Sequence, residues 1–130
     1  MSQENVEIVA AALANFVATG EPSWDRFHPD IVVHDHDLMD AGEYRGHAGF
    51  RAWLENWESA WSEYSMEPEE LLDAGERVVV AFKMTAKGRG SGVEVERQDA
   101  LVYDVRDGMF VRIDYYGSRQ QALEAVGLEG

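Results

Sequence analysis

The order of two kinds of apolar pattern along the chain constrains the fold more than any other feature of the sequence. Apolar residues at three- and four-residue spacing come first, and alternating or β-branched segments joined by tight turns follow. A chain in which helices precede an antiparallel run of strands is typical of the α+β class, with the helices packed on one face of the sheet. A parallel βαβ arrangement would need strands and helices in alternation, which this sequence does not supply.

Two segments near the N-terminus have the periodicity of amphipathic helices. The first ends before Gly20 and Pro22, and the second carries three of the four tryptophans on one face. A short helical turn over residues 23–27 lies between them. The apolar positions of the first helix are Val6, Val9, Ala10, Leu13, Phe16 and Val17, and those of the second are Phe50, Trp53, Leu54, Trp57 and Trp61.

The other segments are predicted strands, a loop and one closing helix. Residues 37–46 form the loop, and Ser118 is the N-cap of a last helix over 120–126 that Gly127 ends. β-Branched and alternating residues bounded by turn formers define the strands. The predicted strands cover residues 31–36, 66–72, 77–86, 93–105 and 109–116.

Length, charge and the absence of cysteine limit the functional classes. The chain of 130 residues is predicted to form one domain, 1–130, that needs no metal or disulfide to complete its core. Eleven basic against 25 acidic residues give a net charge of −14, which repels nucleic acid and anionic membrane surfaces. No stretch approaches the ~18 apolar residues of a membrane span, and the start MSQENVE is unlike a signal peptide. We therefore predict a cytoplasmic protein that binds neither nucleic acid nor membranes.

Four local strings resemble the SnoaL-like branch of the nuclear transport factor 2-like superfamily. They are FHPDIVV at 27–33, YRGH at 44–47, RDGMFVRI at 106–113 and SRQQALEAVGL at 118–128. The resemblance implies a curved, mostly antiparallel sheet wrapped around the N-terminal helices, a cystatin-like cone with an internal pocket. It also implies a homodimer joined through the outer face of the sheet. Ketosteroid isomerases, polyketide cyclases, limonene epoxide hydrolases and dehydratases are among the characterised relatives.

Two aspartates are the candidate catalytic residues. In the strand over 93–105, Arg97 and Asp99 interrupt a row that is otherwise apolar, and a charge facing a cavity is costly unless it is paired. Asp99 is then either a protonated hydrogen-bond donor in the pocket or the partner of Arg97 in a structural ion pair. The resemblance to ketosteroid isomerases implies that Asp35 is the catalytic base and Asp99 the protonated acid, a role for which that isomerase is the standard example.

The chain departs from each characterised relative at other positions of the site. The tyrosine of the isomerases' first helix corresponds to Leu13, and Tyr103 or Tyr115 could replace it. The aspartate that cyclases and epoxide hydrolases share in the last strand corresponds to Tyr115. The Arg-x-Asp pair of the epoxide hydrolases corresponds to Phe82 and Met84, so we reject epoxide hydrolysis by that mechanism.

His34 and His36 form an H-x-H pattern that has two interpretations. Histidines at alternate strand positions can chelate a metal, with Glu43 or His47 near in sequence as a third ligand. The other interpretation is an edge strand whose outer face places both rings in solvent or at a dimer interface. Because an isolated H-x-H is a weak signal, we predict no metal and no cofactor.

The sequence thus predicts that a conical pocket binds a small, mostly apolar or carbonyl-containing molecule. An isomerase or cyclase would act by proton transfer next to a carbonyl, and a non-catalytic binding or dimerisation module is the alternative. The catalytic candidates are Asp35 and Asp99. The ligand-binding candidates are Leu13, Trp53, Trp57, Arg97, Tyr103 and Tyr115.

Overall fold

A computed structural model describes residues 2–36 and 42–128 of the chain. Within these ranges it contains three α-helices, six strands and a 3-10 turn, Trp24–Arg26. The helices are α1 (Ser2–Thr19), α2 (Gly46–Ala60) and α3 (Arg119–Val126). The strands are β1 (Phe27–Asp35), β2 (Glu43–Arg45), β3 (Trp61–Ala74), β4 (Arg77–Gly88), β5 (Glu94–Arg106) and β6 (Met109–Tyr116). The predicted α+β class is confirmed.

The six strands form one curved sheet in the order β2-β1-β6-β5-β4-β3. Strands β3 to β6 follow one another as an antiparallel meander, and β1 and β2 are also antiparallel. Only β1 and β6 pair in parallel within the described part of the sheet, and this pairing sets Asp35 opposite Tyr115. Strands β1 and β6 are therefore neighbours in the same sheet, although they are far apart in the sequence.

The main core lies between the inner face of the sheet and the two long helices. Inward residues alternate along the strands, as Val78, Val80 and Phe82 do on β4, and each of these three is wholly buried. Helix α1 contributes Val9 and Leu13 at four-residue spacing, which places both on the turn that faces the sheet. Helix α2 contributes Phe50 and Trp53, and other turns of both helices remain exposed.

Helix α3 corrects the expectation that all helices pack on one face of the sheet. Its Ala122 and Leu123 cover Val79 and Val102, which point away from the main core. This outer part of the sheet is apolar, so leaving it in water would forgo burial worth roughly 1.5–3 kcal/mol for each large side chain. The predicted caps are confirmed: the Ser118 side chain accepts from the Gln121 amide at 3.2 Å, and Gly127 is left-handed with φ 77°.

Several boundaries differ from the prediction: β1 begins at Phe27 and β3 at Trp61, whereas the predicted strands began at residues 31 and 66. Trp61 was predicted on a helix, but it is the first residue of β3, where it pairs with Gly88. Pairing with β4 therefore determines the conformation of Trp61, although this residue continues the apolar spacing of α2. Part of the predicted loop 37–46 forms β2, whose Tyr44 pairs with Val33 and shields the edge of β1. Residues 37–41 of the predicted loop lie outside the described residues.

None of the helices in residues 2–36 and 42–128 combines the length and apolar character that crossing a membrane requires.

Candidate functional site

An apolar cavity of about 80 Å³ lies between α1, α2 and the inner face of the sheet. A single water molecule needs only about 15 Å³ of such space. The aromatic rings of both the long helix and the sheet contribute to the wall. Five of the predicted ligand-binding residues line this cavity: Leu13, Trp53, Trp57, Tyr103 and Tyr115. The apolar lining suits a small organic molecule.

Asp35 ends β1 directly behind the cavity wall and has no exposed surface. Its Oδ2 accepts hydrogen bonds from the indole Nε1 of Trp53 at 2.8 Å and of Trp57 at 3.1 Å. The two tryptophans are four residues apart, so they occupy successive turns on one face of α2 and reach the same carboxylate oxygen. Two donated hydrogen bonds compensate part of the cost of burying this carboxylate.

Asp99 lies on β5 and is also wholly buried. Its Oδ2 accepts from the Tyr115 hydroxyl and from Arg97 Nη2, the latter at 3.0 Å, and Arg97 Nε lies 2.7 Å from Oδ1. The Arg97–Asp99 pair that strand alternation offered as one interpretation is therefore present. The Arg97 side chain is 36% exposed and does not line the cavity, so the pair extends from the interior to the surface.

Tyr64 adds a second phenol hydroxyl next to that of Tyr115, and sequence reasoning missed it. Its hydroxyl is hydrogen-bonded to Tyr115, although two fifths of the residue is exposed. Burial raises the pKa of Tyr64 to about 12. Burial is also the largest cause that raises the pKa of Tyr115, and the negative charge of Asp99 acts in the same direction. Both phenols are therefore neutral at physiological pH and act as hydrogen-bonding groups.

The two carboxylates accept hydrogen bonds from different rings of one aromatic cluster. The ring centroid of Tyr115, which bonds Asp99, is 4.9 Å from that of Trp57 and 5.9 Å from that of Trp53, which bond Asp35. Neither Asp35 nor Asp99 is a lining residue, so a molecule in the cavity meets the rings first. Their predicted catalytic roles stay predictions.

The three histidines that were considered as metal ligands do not lie on the same side of the sheet. His34 and His36 lie on the outer face, away from the cavity, with parallel rings whose centroids are 4.1 Å apart. His47 belongs to α2, where its Nε2 is 2.7 Å from the Phe27 carbonyl oxygen and its ring packs on Trp24. His47 is therefore not near the other two. Strand β1 is also not an edge strand, since β2 covers it.

Comparison with solved structures places this architecture among nuclear transport factor 2-like folds. A nuclear transport factor 2-like protein from Burkholderia xenovorans LB400 is 26% identical, with 89% of this chain and 90% of that one covered and a TM-score of 0.74. TerC co-crystallized with polyporic acid is 22% identical, with 95% and 98% covered and a TM-score of 0.75. A protein named as a SnoaL-like polyketide cyclase, from Jannaschia sp. CCS1, is 18% identical, with 99% and 95% covered and a TM-score of 0.75.

The family model of the SnoaL-like domain matches residues 10–113. The chain therefore belongs to the SnoaL-like domain family, as the resemblance of its local strings predicted. No curated protein sequence matches it significantly. The homodimer and the cytoplasmic location stay predictions.

Proposed function

We propose that this chain binds a small, mostly apolar molecule carrying one hydroxyl group in the cavity between its helices and sheet. The observation that carries the proposal is the combination of an apolar cavity with two wholly buried carboxylates directly behind its wall. A core that served stability alone would gain from apolar residues at those two positions, because burying an ion costs several kcal/mol. Retaining both is typical of a site with a function.

The hydrogen-bond directions among Asp99, Tyr115 and Tyr64 favour a hydroxyl group over a carbonyl group on the ligand. The Tyr115 hydroxyl donates its proton to Asp99, so the Tyr64–Tyr115 bond uses the Tyr64 proton. The Arg97 ion pair favours an ionised Asp99, which accepts hydrogen bonds. A ligand hydroxyl can then donate to the Tyr64 oxygen, while a carbonyl group would have to displace an existing bond.

Filling the cavity tests this proposal. Ala12 is buried on α1 and lines the cavity, so Ala12→Leu adds three carbon atoms to the space that the ligand needs. We expect the wild-type melting temperature to rise with phenol, and to rise less with acetophenone, because only phenol donates a hydroxyl proton. In Ala12→Leu the affinity for phenol, measured by calorimetry, should fall by more than about tenfold.

Ala11→Leu is the matched control, since Ala11 is the exposed neighbour of Ala12 on the same helix. It should bind phenol as the wild type does. Equal binding by both variants would place phenol outside the cavity and contradict the proposal.

Proton transfer next to a carbonyl is the second candidate function. The position of Asp35 supports it, because this buried carboxylate lies opposite Tyr115 on the neighbouring strand and directly behind Trp57. Asp35 would take a proton from the carbon next to the carbonyl, the electron pair would move to the carbonyl oxygen, and the proton would return to carbon. The step requires the half-buried Trp57 ring to move away from Asp35.

Deuterium exchange separates catalysis from simple binding. In heavy water the wild type should speed the exchange of the methyl protons of acetophenone, which proton NMR follows. Asp35→Asn should remove at least about 99% of this acceleration, since general bases contribute about 10²–10⁴-fold. If the wild type bound phenol normally but exchanged the acetophenone protons no faster than buffer, the chain would be a binding protein.

A further inference from the structure

Three side chains with metal-binding atoms meet on the outer face of the sheet, opposite the cavity. They are His34 and His36 of β1 and Asp114 of β6. Each offers one ligand atom, a ring nitrogen or a carboxylate oxygen, and these atoms all lie within 4.8 Å of one another. The cluster is separate from the proposed ligand cavity, none of whose lining residues it includes.

The backbone explains why these residues converge. Alternation along β1 places His34 and His36 on one face, and the parallel pairing of β1 with β6 sets Asp114 directly opposite His34. The sequence offered Glu43 or His47 as the third ligand, and the parallel pairing supplies Asp114 instead. Two neighbouring strands thus hold all three side chains on a rigid frame, which gives a metal site its precision.

The distances are close to those that a metal needs. Zinc bonds of 2.0–2.1 Å in tetrahedral geometry place ligand atoms about 3.3 Å apart. His36 Nε2 already lies 2.9 Å from Asp114 Oδ1. The His34 ring stacks on that of His36 with an angle of 7° between their planes. A metal lies in the plane of each imidazole that binds it, so at least one of these parallel rings must rotate before both can bind the same ion.

Hydrogen bonds from Arg112 and His36 hold the Asp114 carboxylate in place. Arg112 Nε donates to Oδ2 at 2.9 Å, and Nη2 donates to Oδ1 at 3.0 Å. The Arg112 side chain is 40% exposed, so it can release Oδ1 to a metal and keep orienting the carboxylate through Oδ2.

We propose that His34, His36 and Asp114 form a binding site for a divalent transition-metal ion. Two imidazoles and one carboxylate favour ions such as Zn²⁺ over Mg²⁺ or Ca²⁺, which prefer oxygen ligands. The remaining coordination positions face outward from the sheet, where the side chain of His36 is 31% exposed. The net charge of −14 also attracts cations to the chain.

Calorimetric titration of the EDTA-treated protein with Zn²⁺ tests the site. We expect one saturable ion per chain and a higher melting temperature with Zn²⁺. His34→Ala, His36→Ala and Asp114→Asn should each weaken binding by more than about tenfold, since loss of an outer partner alone has an effect of that size. His28→Ala is the matched control on the same strand, because His28 lies outside the cluster, and it should leave the affinity unchanged.

NMR of the wild-type imidazoles gives a second measurement that does not depend on how the variants fold. Zn²⁺ should shift the ring signals of His34 and His36 and leave those of His28 and His47 in place. Uniform small shifts of all four rings, or undiminished Zn²⁺ binding by the double variant His34→Ala/His36→Ala, would overturn the proposal. Absence of a saturable site in the wild type would do the same.

Discussion

Arg97→Gln is expected to lower the free energy of unfolding by about 3 kcal/mol. The substitution removes the cation that lies 2.7 Å from Asp99, while Asp99 stays without exposed surface. Tyr115 still donates to the carboxylate, and the partial exposure of Arg97 puts the loss at the lower end of the range for broken buried pairs. Urea unfolding at neutral pH measures the effect.

Lys83→Gln is the control for that experiment. Lys83 Nζ lies 3.6 Å from Glu96 Oε1, and both side chains are largely in solvent, 41% and 67% exposed. An exposed pair of this kind is worth about 0.5 kcal/mol. Similar losses in Arg97→Gln and Lys83→Gln would mean that Asp99 is not held by its pair with Arg97.

Trp53→Phe is expected to destabilise the fold by about 2 kcal/mol through the loss of one hydrogen bond to a buried carboxylate. Trp53 is 6% exposed, and its indole donates to Asp35 at 2.8 Å. Phenylalanine keeps most of the aromatic packing but has no donor. The hydrogen bond from Trp57 to the same oxygen remains and limits the loss. Thermal and urea unfolding both measure it.

Trp24→Phe makes the same chemical change where the acceptor is in solvent. The Trp24 indole donates at 3.2 Å to Glu21, whose side chain is 55% exposed. Water can replace that bond, so we expect a loss below about 1 kcal/mol. If Trp24→Phe proved as costly as Trp53→Phe, the loss would reflect indole packing and not the bond to Asp35.

The fold could be predicted because local patterns and long-range pairing agree over most of the chain. Apolar spacing located α1 and α2, and Ser118 and Gly127 fixed the ends of α3. Trp61 was misplaced because it continues the helical spacing of α2, while its actual conformation depends on pairing with β4. Such pairing leaves no signal within a local window.

The candidate site was only partly predictable for the same reason. Strand alternation identified Arg97 and Asp99 as unusual inward charges, and the structure pairs them. Tyr64 was missed because the predicted strand began at residue 66, whereas β3 begins at Trp61. The hydrogen bonds from the two indoles to Asp35 could not be predicted either. They depend on how α2 lies across β1, an orientation that periodicity does not specify.

The side-by-side arrangement of β1 and β6 has a consequence for biosynthesis. A ribosome releases β1 before β6, although the two strands are neighbours in the sheet. Asp35 and Tyr115 lie 80 positions apart in the sequence, and contacts between distant parts of a chain form slowly. An apolar molecule bound to the nascent protein would find a finished cavity only after β6 has left the exit tunnel.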